Sequence, residues 1–147
     1  MNAQKAPVRA AVLAADFNQD IVGAMLQAVE EEARSRQVEL VRTVRVPGAY
    51  ELPLVAERML ASRDLDVLVV LGYIERGETL HGEVMGHVVH RALIELSLKY
   101  QTPIGLGIIG PGATVEQAST RKHSYGRAAL AAALDSLRAC SQLPGAR

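Results

Sequence analysis

Apolar residues along this chain fall into two alternating patterns. Short runs rich in Ala, Val, Leu and Ile occur at 8–15 (VRAAVLAA), 38–46 (VELVRTVRV), 66–73 (DVLVVLGY) and 103–110 (PIGLGIIG). The stretch 67–71 has no polar alternation, which suits a strand buried on both faces, as in a parallel sheet. Between the runs lie longer segments with helical spacing. Residues 20–36 place Ile21, Met25, Ala28, Val29 and Ala33 on one face; 51–61 does so with Leu52, Val55, Ala56, Met59 and Leu60. Residues 81–100 carry Val84, Met85, Val88, Val89, Ala92, Leu93 and Leu96. Two last helices are predicted, over 114–121 and 125–140, separated by a polar link.

Strands alternating with helices predict βαβ units with right-handed crossovers. The expected fold is α/β, a flavodoxin-like three-layer sandwich with a four-stranded parallel sheet in the order 2-1-3-4. In such sheets ligands bind beyond the carboxyl ends of the strands. That rule selects the loops at 16–18, 47–51, 73–81 and 110–113.

The chain has 147 residues, which suits one domain over 1–147 with a full hydrophobic core. Only 3% of the residues are aromatic, so the core must be aliphatic. The formal net charge is zero, which argues against nucleic acid as a partner. Cys140 is the only cysteine and fits a reducing compartment. No apolar run has the length of a membrane span, and the first residues do not read as a secretory signal. A cytoplasmic protein without membrane attachment is expected, with loose ends before the first strand and after residue 141.

The selected loops carry residues suited to chemistry. Thr79 is a candidate N-cap for the helix that follows, and Gly77 a candidate for a tight turn. A helix start with free N–H groups seats a phosphate or another anion. His81 falls in that first turn, where it is either a proton-transfer group or a residue that only caps or packs. In VPGAYELP, Pro47 and Gly48 set a turn and Pro53 suits a first helical turn. Tyr50, at the tip, offers a face to a flat ring. Phe17, the only Phe, is either a staple for the next helix or a wall of a ring pocket. Arg121 follows EQAST at the end of the short predicted helix, where it reaches a phosphate or stays solvated.

Other features carry less. His87 and His90 are three residues apart in one helix, but no third ligand accompanies them and no metal site is expected. The glycines of GLGIIGPG lack the Lys-Ser/Thr ending of a P-loop. Cys140 is expected in the core of the last helix.

Taken in order and at their spacing, VPGAYELP, the R-G-E-T-x-H of residues 76–81, LSL at 96–98 before Pro103, and the T-x-E-Q-A of 114–118 resemble the lumazine synthase family. The resemblance covers nearly the whole chain. It implies an enzyme of riboflavin biosynthesis without cofactor or metal. Such an enzyme condenses 5-amino-6-(ribitylamino)uracil with 3,4-dihydroxy-2-butanone 4-phosphate to 6,7-dimethyl-8-ribityllumazine, phosphate and water. By the same resemblance Phe17 stacks on the pyrimidine, with Asn18 beside it. Ala49, Tyr50 and Glu51 line the pyrimidine and ribityl site, and Tyr73, Ile74 and Glu75 meet the ring through their backbone. Glu78, Thr79 and Arg121 hold the phosphate, and His81 moves protons. The resemblance further implies a homo-oligomer, either a pentamer or an icosahedral shell of pentamers. Its sites lie between subunits, with Leu106 and Arg121 supplied by a neighbour.

The chain departs from the family pattern at several places. Glu75 stands where an apolar residue is usual, Gly82 where an aromatic is common, Leu106 in place of Phe and Tyr125 in place of Lys. Residues 110–113 hold an extra residue, with Pro111 added. The alternatives are a relative that binds a flavin or lumazine without making it, and a shell-forming structural protein.

Overall fold

The computed structural model describes residues 5–145. The loose ends expected from the sequence fall partly outside the described residues, at 1–4 and 146–147. The described residues form four strands: β1 (Arg9–Ala15), β2 (Glu39–Val46), β3 (Val67–Glu75) and β4 (Ile104–Ala113). The helices are α1 (Gln19–Ser35), α2 (Leu52–Ala61), α3 (His81–Tyr100) and α4 (Val115–Ser141), with a 3-10 turn at Ala49–Glu51 before α2. All strand pairs are parallel, and the order is β2-β1-β3-β4, the flavodoxin-like order expected.

The period of two along the central strands sorts their side chains between the faces. Leu13, Leu68, Val70 and Ile74 pack with α2 and α3 through Leu52, Ala56, Val89 and Leu93. Val12, Val69, Leu71 and Tyr73 pack with α1 and α4 through Ile21, Val22, Met25, Ala129 and Leu130. Each large aliphatic side chain fully buried here contributes about 1.5–3 kcal/mol. The middle of the sheet is therefore a rigid platform from which the strand ends project. Among the described residues no helix is long and apolar enough to cross a membrane.

Three expectations need correction. The polar link before residue 125 does not break the chain: α4 is one helix of 27 residues. Its polar residues Arg121, His123 and Ser124 are exposed, while Ala118, Gly126, Ala129, Leu130 and Ala133 continue one buried stripe. Cys140 is exposed rather than in the core, because the fully buried positions of α4 end at Ala133. Finally, 110–113 is part of β4. The strand bulges after Ile109 and rejoins β3 where Ala113 pairs with Glu75.

Candidate active site

A cleft of about 480 Å³ opens at the carboxyl ends of the strands, beside the start of α3. Three connections build it. After β1, the Asp16 N–H donates to the Val46 carbonyl at 2.7 Å and the Phe17 N–H to the Pro47 carbonyl at 3.2 Å, lacing the first two loops together. This sets Phe17 at the cleft with half its surface exposed, its ring 6.4 Å from that of Tyr73. The ring forms part of the cleft wall. Behind it, the Tyr73 hydroxyl donates to the Ala113 carbonyl at 2.9 Å. Burial, and secondarily the charges of Glu75 and Glu116, push that phenol above its ordinary pKa, so it stays a protonated donor.

The second connection is the turn after β2. It places Ala49 and Glu51 on the cleft, and Pro53 lies in the first turn of α2 as expected. Tyr50 does not line the cleft itself; it stands at the rim with its ring 5.8 Å from that of His81.

The third is the turn 76–80. Here Leu80, not Thr79, occupies the N-cap of α3, and it has no side chain able to cap. Thr79 lies one residue earlier, and its Oγ1 accepts the His81 N–H at 3.3 Å. Gly77 is not in the left-handed region, so the turn does not depend on glycine there. By contrast, α1 is capped by Asn18, whose Oδ1 accepts from the Ile21 N–H, and α4 by a full capping box of Thr114 and Gln117. Beyond the His81 N–H, the first-turn N–H groups of the helix at the cleft thus have no side-chain cap and can meet an anion.

The structure brings Phe17, Ala49, Glu51, Tyr73, Ile74, Glu75, Thr79 and His81 together around one cleft. Glu78 lies across the turn, in an adjoining groove of about 520 Å³. Three expected residues stand apart. Asn18 is engaged as a cap. Leu106 lies in the body of β4, opposite Val70. Arg121 is exposed on α4, where its guanidinium donates to the Gln117 carbonyl at 2.9 Å. It sits in the second turn of a long helix rather than at the end of a short one, because α4 does not stop there.

Pro47 and Gly48 fall in a loop the sequence selected, there as turn formers only, and Gly82 was noted as a departure from the family pattern; Met85 was missed as a lining residue. The signal for Met85 was present: it follows His81 by four residues and so shares its face of the helix. His87 and His90 serve other contacts. His90 Nδ1 lies 2.7 Å from the Gly86 carbonyl, and His87 Nε2 is 3.8 Å from Glu83.

An aromatic wall, an uncapped helix start and a histidine in its first turn suit a flat ring next to a phosphate. A sequence model of 6,7-dimethyl-8-ribityllumazine synthase matches residues 7–141. The chain belongs to the lumazine synthase family. Among its relatives, the 6,7-dimethyl-8-ribityllumazine synthase of Metallosphaera sedula is 38% identical over 89% of this chain and 87% of its own length. That of Pyrobaculum arsenaticum is 39% identical over 86% of this chain and 85% of its own. That of Aeropyrum pernix is 35% identical over 94% and 95%. The lumazine synthase match therefore takes in every strand, and it takes in each residue of the cleft.

Proposed function

We propose that this chain condenses 5-amino-6-(ribitylamino)uracil with 3,4-dihydroxy-2-butanone 4-phosphate, forming 6,7-dimethyl-8-ribityllumazine and releasing phosphate and water. Beyond family membership, the observation that carries this reading is the position of His81. It opens α3 on the wall of the cleft, beside a helix start without a side-chain cap.

In this reading the pyrimidine lies against Phe17, bounded by Ile74 and the strand-end backbone of Tyr73 and Glu75. Glu51, a carboxylate beside Ala49, accepts hydrogen bonds from ribityl hydroxyls. The phosphate sits on the N–H groups at the start of α3, with Thr79 and Glu78 shaping the turn. His81 is then next to both substrates. It takes a proton from the attacking amine as the imine forms, and returns one as phosphate leaves.

The same reading makes the active form a homo-oligomer. Arg121 and Leu106 do not reach the cleft of their own chain, so their roles require a neighbour. One face of α3 supports this: Leu80, Val84, Val88, Ile94 and Leu98 are all at least half exposed. An apolar stripe of that length on a soluble helix marks an interface. Pentamers, or shells of pentamers, in the cytoplasm fit this arrangement.

The test mixes purified protein with both substrates and follows lumazine by its absorbance, with the protein-free reaction subtracted. Formation well above that background, lost in His81→Ala, is expected. Tight binding of lumazine or riboflavin without formation would instead establish a non-catalytic binder.

A further inference from the structure

We propose that the bulge at residues 110–112 is a positioning element for His81: its Pro111 ring, seated on Gly86, fixes the first turns of α3 against the ends of β3 and β4. The link to catalysis rests on the role of His81 proposed above.

The register defines the bulge. Tyr73 pairs with Ile109 and Glu75 with Ala113, so two steps along β3 face four along β4. The surplus residues leave the sheet, as bulges beside active sites do to re-aim a neighbouring group. The bulge closes firmly. The Ala113 carbonyl accepts both the Tyr73 hydroxyl at 2.9 Å and the Arg76 N–H at 3.0 Å. Its path also depends on glycine: Gly110 and Gly112 have φ of 94° and 92°, a region that side chains rarely adopt.

The bulge meets α3 where the helix has no side chain. A Cβ added to Gly86 would fall 2.5 Å from Cδ and 2.7 Å from Cγ of Pro111. The ring therefore rests directly on the helix backbone. Gly82, four residues earlier and on the same helix face, makes the matching contact with β3. A Cβ there would lie 3.1 Å from the Glu75 carbonyl oxygen and 3.3 Å from Ile74 Cγ2. Thus α3 is seated at two points, on β3 through Gly82 and on the bulge through Gly86. His81 adjoins the first of these points. A tilt of α3 about its seat moves the imidazole relative to Phe17, which follows β1. The extra residue that carries Pro111 thereby acquires a role.

The experiment is a double-variant cycle in the full-length protein. Gly86→Ala drives a methyl into the ring. Pro111→Ala removes Cγ and Cδ but keeps Cβ, which lies 3.4 Å from the new methyl, an ordinary contact. Misplacing a reacting group by about 1 Å costs up to about a hundredfold in rate, so Gly86→Ala is expected to lower kcat about tenfold and Pro111→Ala about threefold. Both KM values should change little. The double variant is expected to return to the Pro111→Ala level. Crystal structures of the same proteins supply a readout independent of turnover: the His81 Cα should move in Gly86→Ala and return in the double variant.

A double variant as slow as Gly86→Ala, or a Gly86→Ala protein with unmoved His81, overturns the proposal. If even the unaltered protein makes no lumazine, the functional reading fails, while the displacement of His81 still decides the positioning role. Should Gly86→Ala not fold, Pro111→Gly removes the seat without adding an atom. Unchanged kcat in that variant overturns the proposal as well.

Discussion

The rings of Tyr50 and His81 meet edge to face, with centroids 5.8 Å apart and planes inclined by 69°. Tyr50 belongs to the 3-10 turn before α2 and His81 opens α3, so the contact braces the imidazole between two helix starts. Such aromatic pairs contribute about 0.5–1.5 kcal/mol beyond their buried area. Tyr50→Ala is therefore expected to lower kcat about two- to tenfold by freeing the imidazole. Tyr50→Phe, which keeps the ring edge, should retain most of kcat. Steady-state kinetics of the two variants decide the matter, and equal losses in both would remove the bracing role.

Arg121 and His81 lie on different surfaces of one chain. His81 lines the cleft, whereas the Arg121 guanidinium turns back to the Gln117 carbonyl of its own helix. If each site takes His81 from one subunit and Arg121 from the next, two crippled variants complement each other. His81→Ala and Arg121→Ala, unfolded together in equal amounts and refolded, should recover activity in about a quarter of their sites. Refolded separately, they should stay weak: His81→Ala in turnover, by about ten- to a thousandfold, and Arg121→Ala chiefly through a raised KM for the phosphate-bearing substrate. A mixture no more active than the average of its parts would place both groups in one subunit's site.

Away from the cleft, Glu57 of α2 ties the C-terminal end of α3. Its carboxylate accepts from Lys99 Nζ and, at 3.2 Å, from the Tyr100 hydroxyl. The Lys99 hydrogen bond, then that of Tyr100, then the Lys99 charge hold the Glu57 carboxyl below its ordinary pKa of 4.5. A carboxyl with a lower pKa in the folded state stabilises that state above its unfolded pKa, and the gain is lost as pH falls through the folded value. Glu57→Gln should therefore melt slightly below the unaltered protein at neutral pH, with the gap closing as the pH drops below 4.5. The group is exposed, so the gap is small. Melting curves between about pH 3 and pH 7 measure it. A gap that persists in acid would mean Glu57 acts through packing instead.

The sheet and its order were legible because the central strands carry unbroken aliphatic runs that only a two-sided burial explains. The site was legible where chemistry and position coincide in sequence. His81 lies directly after a turn, and Glu51 directly before a helix. What the sequence hid was close approach. Gly82 and Gly86 carry no pattern of their own, since a glycine in a helix reads as weakness unless the opposing surface is known. Leu106 and Arg121 were named as site residues from the sequence, Leu106 by the family resemblance alone. They share no element with the cleft of their own chain: Leu106 lies within β4 and Arg121 on α4.

Gly126 shows the same blindness in its strongest form. The polar residues just before it read as a break between two helices, yet α4 runs unbroken past Gly126 to Ser141. The reason lies across the interface with α1. A Cβ on Gly126 would fall 2.5 Å from the Met25 carbonyl oxygen and 3.2 Å from the Met25 Cα. The two helix backbones touch there, and only hydrogen fits between them. Two effects of Gly126→Ala thus oppose each other. Helix propensity favours alanine by about 1 kcal/mol. Overpacking against a backbone that cannot rotate away costs about 1–3 kcal/mol. The second exceeds the first, because the obstructing atoms are main chain rather than the tip of a flexible side chain. Gly126→Ala is therefore expected to lower the denaturant midpoint while preserving the cleft residues. An alanine variant more stable than the parent, by urea unfolding, would show that α1 and α4 have room to separate.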